Sequence, residues 1–202
     1  MMTGMETASH RLHRLTSYEP GRDWDAPADD PGILQDLQVN DPGRGVSQDL
    51  LRTAMGVAVR GLDLPHWVVV HDVAGLPPGV YRWPALDAPV RAGALRDELY
   101  QVCLRQALAR DAAFVAIAAA DVGRLSDAEY RDAQLAEGRL HLAAYALGAS
   151  ASGMTFDDSQ VPALLGERLN GLLFTCVGVP GYRNAPAGPP GTPTPVRRVT
   201  PA

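Results

Sequence analysis

The chain is 202 residues long, 46% of its residues are apolar, and its formal net charge at pH 7 is −5. This composition excludes a largely disordered chain, and the length suits one α+β unit with a sizeable core. The negative charge argues against nucleic acid or an anionic membrane as a partner. All 18 basic residues are arginine, so any anion site must use arginine or backbone amides.

Cysteine usage and the lack of targeting segments point to one compartment. Cys103 and Cys176 are far apart in sequence and lie inside apolar segments, which is typical of reduced core thiols. No apolar run reaches transmembrane length, and residues 1–14 contain no apolar region of a signal peptide. We therefore expect a cytoplasmic protein.

Composition divides the chain into three parts. Residues 1–45 are polar and interrupted by four prolines, so we expect an extended, poorly ordered leader arm. Residues 46–180 carry the periodic patterns of a folded domain. Residues 181–202 are rich in proline and glycine and predict an extended or polyproline-like arm.

The first half of the domain predicts a helix followed by a hairpin. Ser47 is a good N-cap, and apolar residues recur after it at helical spacing. Pro65 then favours extended chain, and the β-branched run from Trp67 to Val73 predicts a strand. The sequence GLPPG predicts a turn, and Val80 to Trp83 can return as the second strand of the hairpin.

The second half predicts alternating helices and strands. The spacing predicts a helix over 94–110, a central strand over 114–120 and a strand over 172–179. Ser126 and Glu129 form a capping-box pattern for a helix that continues to Gly148, a suitable left-handed C-cap. The small residues of ASASGMTF predict a loop, and Asp157 a new helix start. The sequence therefore predicts an α+β fold with a buried mixed sheet.

The helix that ends at Gly148 carries two stripes at helical spacing. One stripe, which can pack into a core, consists of Leu140, Ala143, Ala144 and Leu147. The other, which can face a partner or a ligand, consists of Gln134, Gly138, His141 and Tyr145.

Common catalytic and metal-binding motifs are absent from the sequence. There is no phosphate-binding GxxxxGK[ST], no GxGxxG after a strand and no HExxH, and GASASG does not match the GxSxG elbow of serine hydrolases. His10 and His13 lack other ligating residues nearby, so we predict no metal site. His66 and His71 flank one strand and fit packing or surface roles better than ligation.

Two segments resemble a known family. GRLHLAAYALGASASGMTF and LLGERLNGLLFTCVGVPGYR, in this order, resemble the nitroreductase superfamily of flavoproteins. They are most similar to the SagB-type dehydrogenase branch, whose best-known members oxidise azolines to azoles. The resemblance covers roughly residues 46 to 200 and implies a mixed central sheet flanked by helices. Much of the family's N-terminal portion lacks a counterpart here, which indicates an internal deletion relative to the family.

The resemblance implies an FMN site. A bound flavin needs a backbone amide near N5 and O4, and the corresponding residues are Met154 and Thr155, with Gly153 allowing close approach. Arg197 and Arg198 stand where the family binds the phosphate. Asp63 and Trp67 correspond to residues near the pyrimidine edge. From the residues alone, a plain turn of small residues and a solvated arginine pair both remain open alternatives.

Departures from the family limit the chemistry. The family's basic Arg-Arg-Ser-x-Arg segment has no counterpart except Arg44. Azole-forming members use a Lys-Tyr pair as the substrate base, for which this lysine-free chain offers only Tyr130 and Arg131, and arginine stays protonated. Strict azoline dehydrogenation is therefore disfavoured.

Two functional hypotheses follow. The first is an FMN-dependent oxidoreductase, a homodimer with helix 137–148 at the seam, that transfers hydride between a small organic substrate and flavin N5. NAD(P)H or oxygen would be its second redox partner. The second is a non-catalytic, truncated relative that binds no flavin and serves as a partner subunit. The colour of the purified protein distinguishes them.

Overall fold

The computed structural model describes residues 44–179, together with the backbone of residues 182–184 and 196–198. Its helices are α1 (Gln48–Ala58), α2 (Arg96–Val102), α3 (Ala107–Asp111), α4 (Asp127–Ala146) and α5 (Val161–Leu165), the last preceded by a 3-10 turn (Asp158–Gln160). Its strands are β1 (His66–Val70), β2 (Gly79–Arg82), β3 (Arg91–Ala92), β4 (Phe114–Ala120), β5 (Ser150–Met154), β6 (Asn170–Gly178), β7 (Tyr182–Asn184) and β8 (Val196–Arg198).

Six strands form one sheet in the order β3-β2-β1-β4-β6-β5, which confirms the predicted α+β class. Every strand pair described in this sheet is antiparallel, and the parallel contact described is an isolated bridge between Val46 and Val73. The apolar run Phe114–Ala120 forms the central strand β4 with the predicted bounds, and six of its seven residues are buried.

Helices cover both faces of the sheet. On one face, Leu51 and Met55 of α1 and Leu140 of α4 pack against Val68 and Phe114. On the other, Leu99 of α2 and Leu164 of α5 pack against a second set of sheet residues, Trp67, Ile117, Phe174 and Cys176. This alternation follows the period of two along each strand. The site described below lies at the β5 edge of this layered core.

Helix α4 begins and ends as predicted. Ser126 and Glu129 form the capping box, and Gly148 has a φ of +77° just after the last turn. Leu140, Ala143 and Ala144 are buried as expected, but Leu147 is 39% exposed. The prediction for Leu147 was wrong because the helix has ended there and its side chain no longer follows the buried stripe.

The single helix predicted over 94–110 was wrong, since the structure has two short helices there. The chain breaks at Leu104 and Arg105, whose φ angles are 55° and 63°. The second helix folds back beside the first, and the Arg96 guanidinium donates to the Arg110 carbonyl across the two. This contact satisfies a carbonyl at the C-terminal end of α3, which local periodicity cannot reveal.

Leu104→Gly should stabilise the domain. A left-handed conformation costs a non-glycine residue about 1–2 kcal/mol, whereas glycine adopts it freely. Leu104 is 54% exposed, so little apolar contact is lost. We expect urea denaturation to show a free energy of unfolding raised by about 1 kcal/mol. The matched control, Ala107→Gly at the first residue of α3, should not raise the free energy of unfolding, because glycine is a poorer helix former than alanine. A lower free energy of unfolding in Leu104→Gly would contradict backbone strain at Leu104.

The predicted arms, residues 1–45 and 181–202, lie largely outside the described residues, except that β7 and β8 form an antiparallel pair within the second arm. None of the described helices is both long enough and apolar enough to cross a membrane.

Candidate functional site

The small-residue segment after α4 is an edge strand. The sequence predicted a loop here, and that prediction was wrong: Ser150 to Met154 pair with Gly178 to Phe174 of β6. In the described part of the chain, no strand pairs with the outer side of β5. An edge strand presents unpaired backbone N–H and C=O groups to its open side. The segment therefore offers main-chain donors to a ligand without needing a loop.

The chain that leaves β5 is held by its neighbours. Thr155 is exposed, and its carbonyl accepts a hydrogen bond from Gln106 Nε2 at 3.1 Å. Phe156 stacks on Phe174 with 4.3 Å between ring centroids. The Asp157 amide then donates to the Val102 carbonyl at 2.8 Å. These contacts fix the backbone after Thr155, and the β5–β6 pairing fixes it up to Met154.

Two carboxylates and a glycine complete this support. Asp157 accepts from the Ser159 amide at 3.0 Å and from Gln160 Nε2 at 2.8 Å, and these hydrogen bonds, that from Gln160 foremost, hold the pKa of Asp157 below its usual value. Asp158 accepts from the Gly171 amide at 2.7 Å. A Cβ atom on Gly171 would lie 2.5 Å from Phe156 Cε2, so only glycine leaves room for that ring.

Glu137 of α4 lies directly against the edge strand. A Cβ atom built on Gly153 would overlap Glu137 Oε1, so the carboxylate fills the space on the α4 side of this glycine. The Thr175 hydroxyl donates to the same carboxylate. Burial raises the pKa of Glu137 above its usual value, while His141 and the Thr175 hydrogen bond act against this rise.

Sequence reasoning did not select Glu137, although a signal for it exists. Ala133, Glu137, Leu140 and Ala144 share one helical stripe, and Glu137 is the one charged member among buried neighbours. A carboxylate in a core-facing stripe is costly unless it is paired or protonated, which makes it a candidate for function.

A small cavity lies beside Glu137, between the α1–α4 layer and the sheet. Its volume is about 10 Å³, room for roughly one water. Alanines and other apolar side chains make up most of its wall, and the polar lining consists of His66, Glu137 and Thr175. His66 Nδ1 lies 2.8 Å from the Leu64 carbonyl, and burial lowers the pKa of His66. This cavity holds water-sized groups and not a flavin.

The structure does not bring Asp63 and Trp67 close to Gly153, Met154 and Thr155 within one subunit. Trp67 and Met154 stand in one cross-strand row through Ile117 and Phe174. Three strand spacings separate the two, about 14 Å. Asp63 is exposed just before β1.

Trp67 is fully buried in the core on the sheet face that α2 and α5 cover. The Arg82 guanidinium lies over its ring, 4.1 Å from the centroid, and bonds Glu167 at 3.0 Å on its outer side. Trp67 Nε1 has no hydrogen-bond partner among the described residues.

The remaining predicted residues lie elsewhere. Tyr130 and Arg131 belong to the first turns of α4, about 10 Å along the helix from Glu137. Arg197 and Arg198 belong to β8, where Arg197 pairs with Arg183 and Arg198 with Tyr182, and their side chains lie outside the described residues. Within residues 44–179 there is no group of three or more His, Cys, Asp or Glu side chains that could hold a metal ion.

The FMN ring can be compared with this geometry. The α4 side of Gly153 is closed by Glu137, so a ring cannot lie flat over that side of the glycine. The open edge of β5 still fits a flat ring that accepts main-chain hydrogen bonds, because Gly153 and Thr155 are exposed and Thr155 is fixed by its neighbours. The fit therefore concerns the strand's edge and not its face.

Comparison with known proteins supports the fold. No protein-family model matches the chain, and no curated protein matches it in sequence. A protein of Anabaena variabilis assigned as a nitroreductase shares 26% identity at a TM-score of 0.63, over 71% of this chain and 36% of its own. The present chain thus spans about a third of that protein's length.

Two further solved structures match over most of their own length. A protein of Desulfovibrio desulfuricans assigned as a nitroreductase, solved in complex with FMN, matches at 15% identity and a TM-score of 0.52 over 81% of this chain and 94% of its own. A protein of Staphylococcus epidermidis assigned as an NAD(P)H:FMN oxidoreductase matches at 13% identity and a TM-score of 0.53 over 75% of this chain and 87% of its own. The chain has the nitroreductase fold.

Proposed function

We propose that this chain is an FMN-dependent oxidoreductase of the nitroreductase type. The observation that carries the proposal is the open edge of β5, where Gly153 to Thr155 offer main-chain groups at a fixed position. The fold is shared with a protein solved with FMN and with one assigned as an NAD(P)H:FMN oxidoreductase. Bound FMN would supply a ring that accepts hydride at N5.

In this proposal each residue has a limited task. The amides of Met154 and Thr155 bind the redox ring, and Gly153, which has no Cβ, leaves room for the Glu137 carboxylate on the α4 face of the strand. Gln106, through the Thr155 carbonyl, keeps that backbone in place. Arg197 and Arg198 bind the phosphate, and Tyr130 with Arg131 face the substrate. With no lysine as a base, a small organic substrate other than an azoline fits the SagB-type resemblance best.

A second copy of the chain would complete the site. Asp63 is exposed just before β1, which lies three strand positions from β5, whereas Trp67 is fully buried, so one subunit supplies only part of a flavin pocket. Helix α4 offers a surface for pairing: Leu135, Leu142 and Tyr145 are 45%, 73% and 61% exposed. Together with Gly138 they follow the i, i+3, i+7, i+10 spacing of a helix-pairing stripe. We propose that the homodimer forms there.

The compartment and redox partner belong to the same proposal. Cys103 and Cys176 are free and buried, which supports a reducing cytoplasm. NAD(P)H is the proposed reductant and oxygen an alternative second partner.

A non-catalytic partner subunit is the second candidate function. The observation that favours it is Glu137, which fills the α4 side of Gly153 and closes that face of the strand to a ring. Absorbance of the purified chain separates the two: flavin bands, or saturable FMN binding, support the enzyme, and a colourless protein that ignores added FMN supports the partner.

Thr155→Pro tests the role of the backbone. Proline removes the amide hydrogen, and loss of one neutral hydrogen bond worth about 0.5–1.5 kcal/mol should weaken FMN binding about 2- to 13-fold. The matched control, Thr155→Val, keeps the amide and the side-chain shape and should bind FMN as the parent does. Fluorescence titration measures both, with circular dichroism as the check on folding. Equal affinities in folded Thr155→Pro and Thr155→Val would remove this amide from the site.

A further inference from the structure

We propose that Glu137 is a positioning residue that acts through its charge: it takes up the proton that accompanies reduction of a flavin on the β5 edge and thereby sets that flavin's reduction potential. This inference rests on the proposed function. Its starting point is a carboxylate whose oxygen fills the space beside the Gly153 backbone, one residue before the proposed ring-binding amides.

The location of Glu137 makes its charge effective. The carboxylate is half-buried between α4 and the sheet, where the dielectric is lower than in water. It belongs to the layer behind β5, and the proposed ring lies at the edge of the same strand. The negative charge of the ionised carboxylate repels electrons added to a ring this close to it, and the repulsion is lost when the carboxylate is protonated.

The groups around Glu137 allow it to change charge. Burial already raises the pKa of Glu137, so less additional negative charge is needed to protonate it near neutral pH. His141 on α4 and His66 on β1 are the titratable groups that face it; α1 presents Met55, β6 presents Thr175, and β5 presents the backbone of Gly153. His141 is partly exposed and lies one turn further along α4, which gives solvent protons a route.

The redox step balances with a dihydronicotinamide as reductant. Its hydride carries two electrons and one hydrogen to the ring, which leaves the oxidised nicotinamide and adds one negative charge at the β5 edge. The Glu137 carboxylate then binds one solvent proton on an oxygen and becomes a neutral carboxylic acid. The local charge is thus unchanged by reduction.

The experiment compares the affinities of the full-length chain for oxidised and reduced FMN, measured anaerobically from pH 5 to 9. Glu137→Gln keeps an acceptor for Thr175 but removes the charge. At high pH, where Glu137 of the parent is ionised, reduced FMN should bind this variant about tenfold more tightly relative to oxidised FMN than it binds the parent. That ratio corresponds to a potential about 30 mV more positive for a two-electron couple. At low pH, where Glu137 of the parent is protonated, the ratio of the affinities for reduced and oxidised FMN should be the same in the two proteins.

Two further variants sharpen the result. Glu98→Gln removes one charge near the opposite edge of the sheet, where Glu98 pairs with Arg91 of β3, and should match the parent at every pH. Thr175→Val removes a hydrogen bond that lowers the pKa of Glu137, so this variant should reach the affinity ratio of Glu137→Gln at a higher pH than the parent does. If the parent binds FMN and Glu137→Gln shows an unchanged ratio at every pH, this inference is wrong while the proposed function survives. A parent that binds no FMN in either state overturns both.

Discussion

Replacing Phe174 by alanine should cost the domain about 3–5 kcal/mol of stability, because a fully buried aromatic side chain is lost and a cavity remains. Phe174 also supports Phe156 by stacking, an interaction worth about 0.5–1.5 kcal/mol. Without it, Phe156 is free to shift and the adjacent Thr155 amide loses its fixed position. We therefore expect FMN binding by the folded protein to weaken by up to about tenfold.

Phe114→Ala is the matched control for this change. Phe114 is equally buried, but it packs on the other face of the sheet and pairs with Val177, three residues along β6 from Phe174. It should lose similar stability in urea denaturation and keep its FMN affinity at temperatures where both variants are folded. Equal affinities in the two variants would show that the Phe156–Phe174 stack does not position the site.

Acid should destabilise the domain through His71. Burial, with a smaller contribution from Arg96, lowers the pKa of His71 to about 4 in the folded state, whereas the unfolded value is about 6.5. Between these values the unfolded chain binds a proton that the folded one does not. The stability is therefore complete above pH 6.5 and falls by about 3 kcal/mol as the pH drops to 4.

His71→Gln isolates this effect. Glutamine can still donate to the Ala109 carbonyl, which His71 Nε2 contacts at 3.1 Å, but it does not titrate. The lowered pKa of His66 acts in the same direction in both proteins, so the difference between their pH slopes belongs to His71. Urea denaturation at pH 7, 6, 5 and 4.5 should show a flatter profile for the variant. Parallel profiles would contradict a neutral, buried His71.

Elements with strong local signals could be predicted from the sequence. The unbroken apolar run of β4 has one reasonable reading, and its bounds were correct. The capping box of α4 and the left-handed Gly148 are set by neighbouring residues, so local chemistry suffices to place them.

Features that depend on distant partners could not be predicted. The residues Ser150 to Met154 are small and lack strand propensity, and they form β5 only because β6 offers a ladder to pair with. The break at Leu104 reflects the packing of α3 beside α2 and not a local breaker residue. The role of Glu137 beside Gly153 likewise required the contact between α4 and β5.

Binding of FMN at the β5 edge is tested most directly by an NMR titration of the labelled full-length chain with FMN, followed at the backbone amides. We expect saturable binding, with the largest amide shifts at Met154 and Thr155 and small ones around Phe114. Saturable binding that leaves the amides of β5 and Thr155 unmoved, or no binding at all, would contradict it.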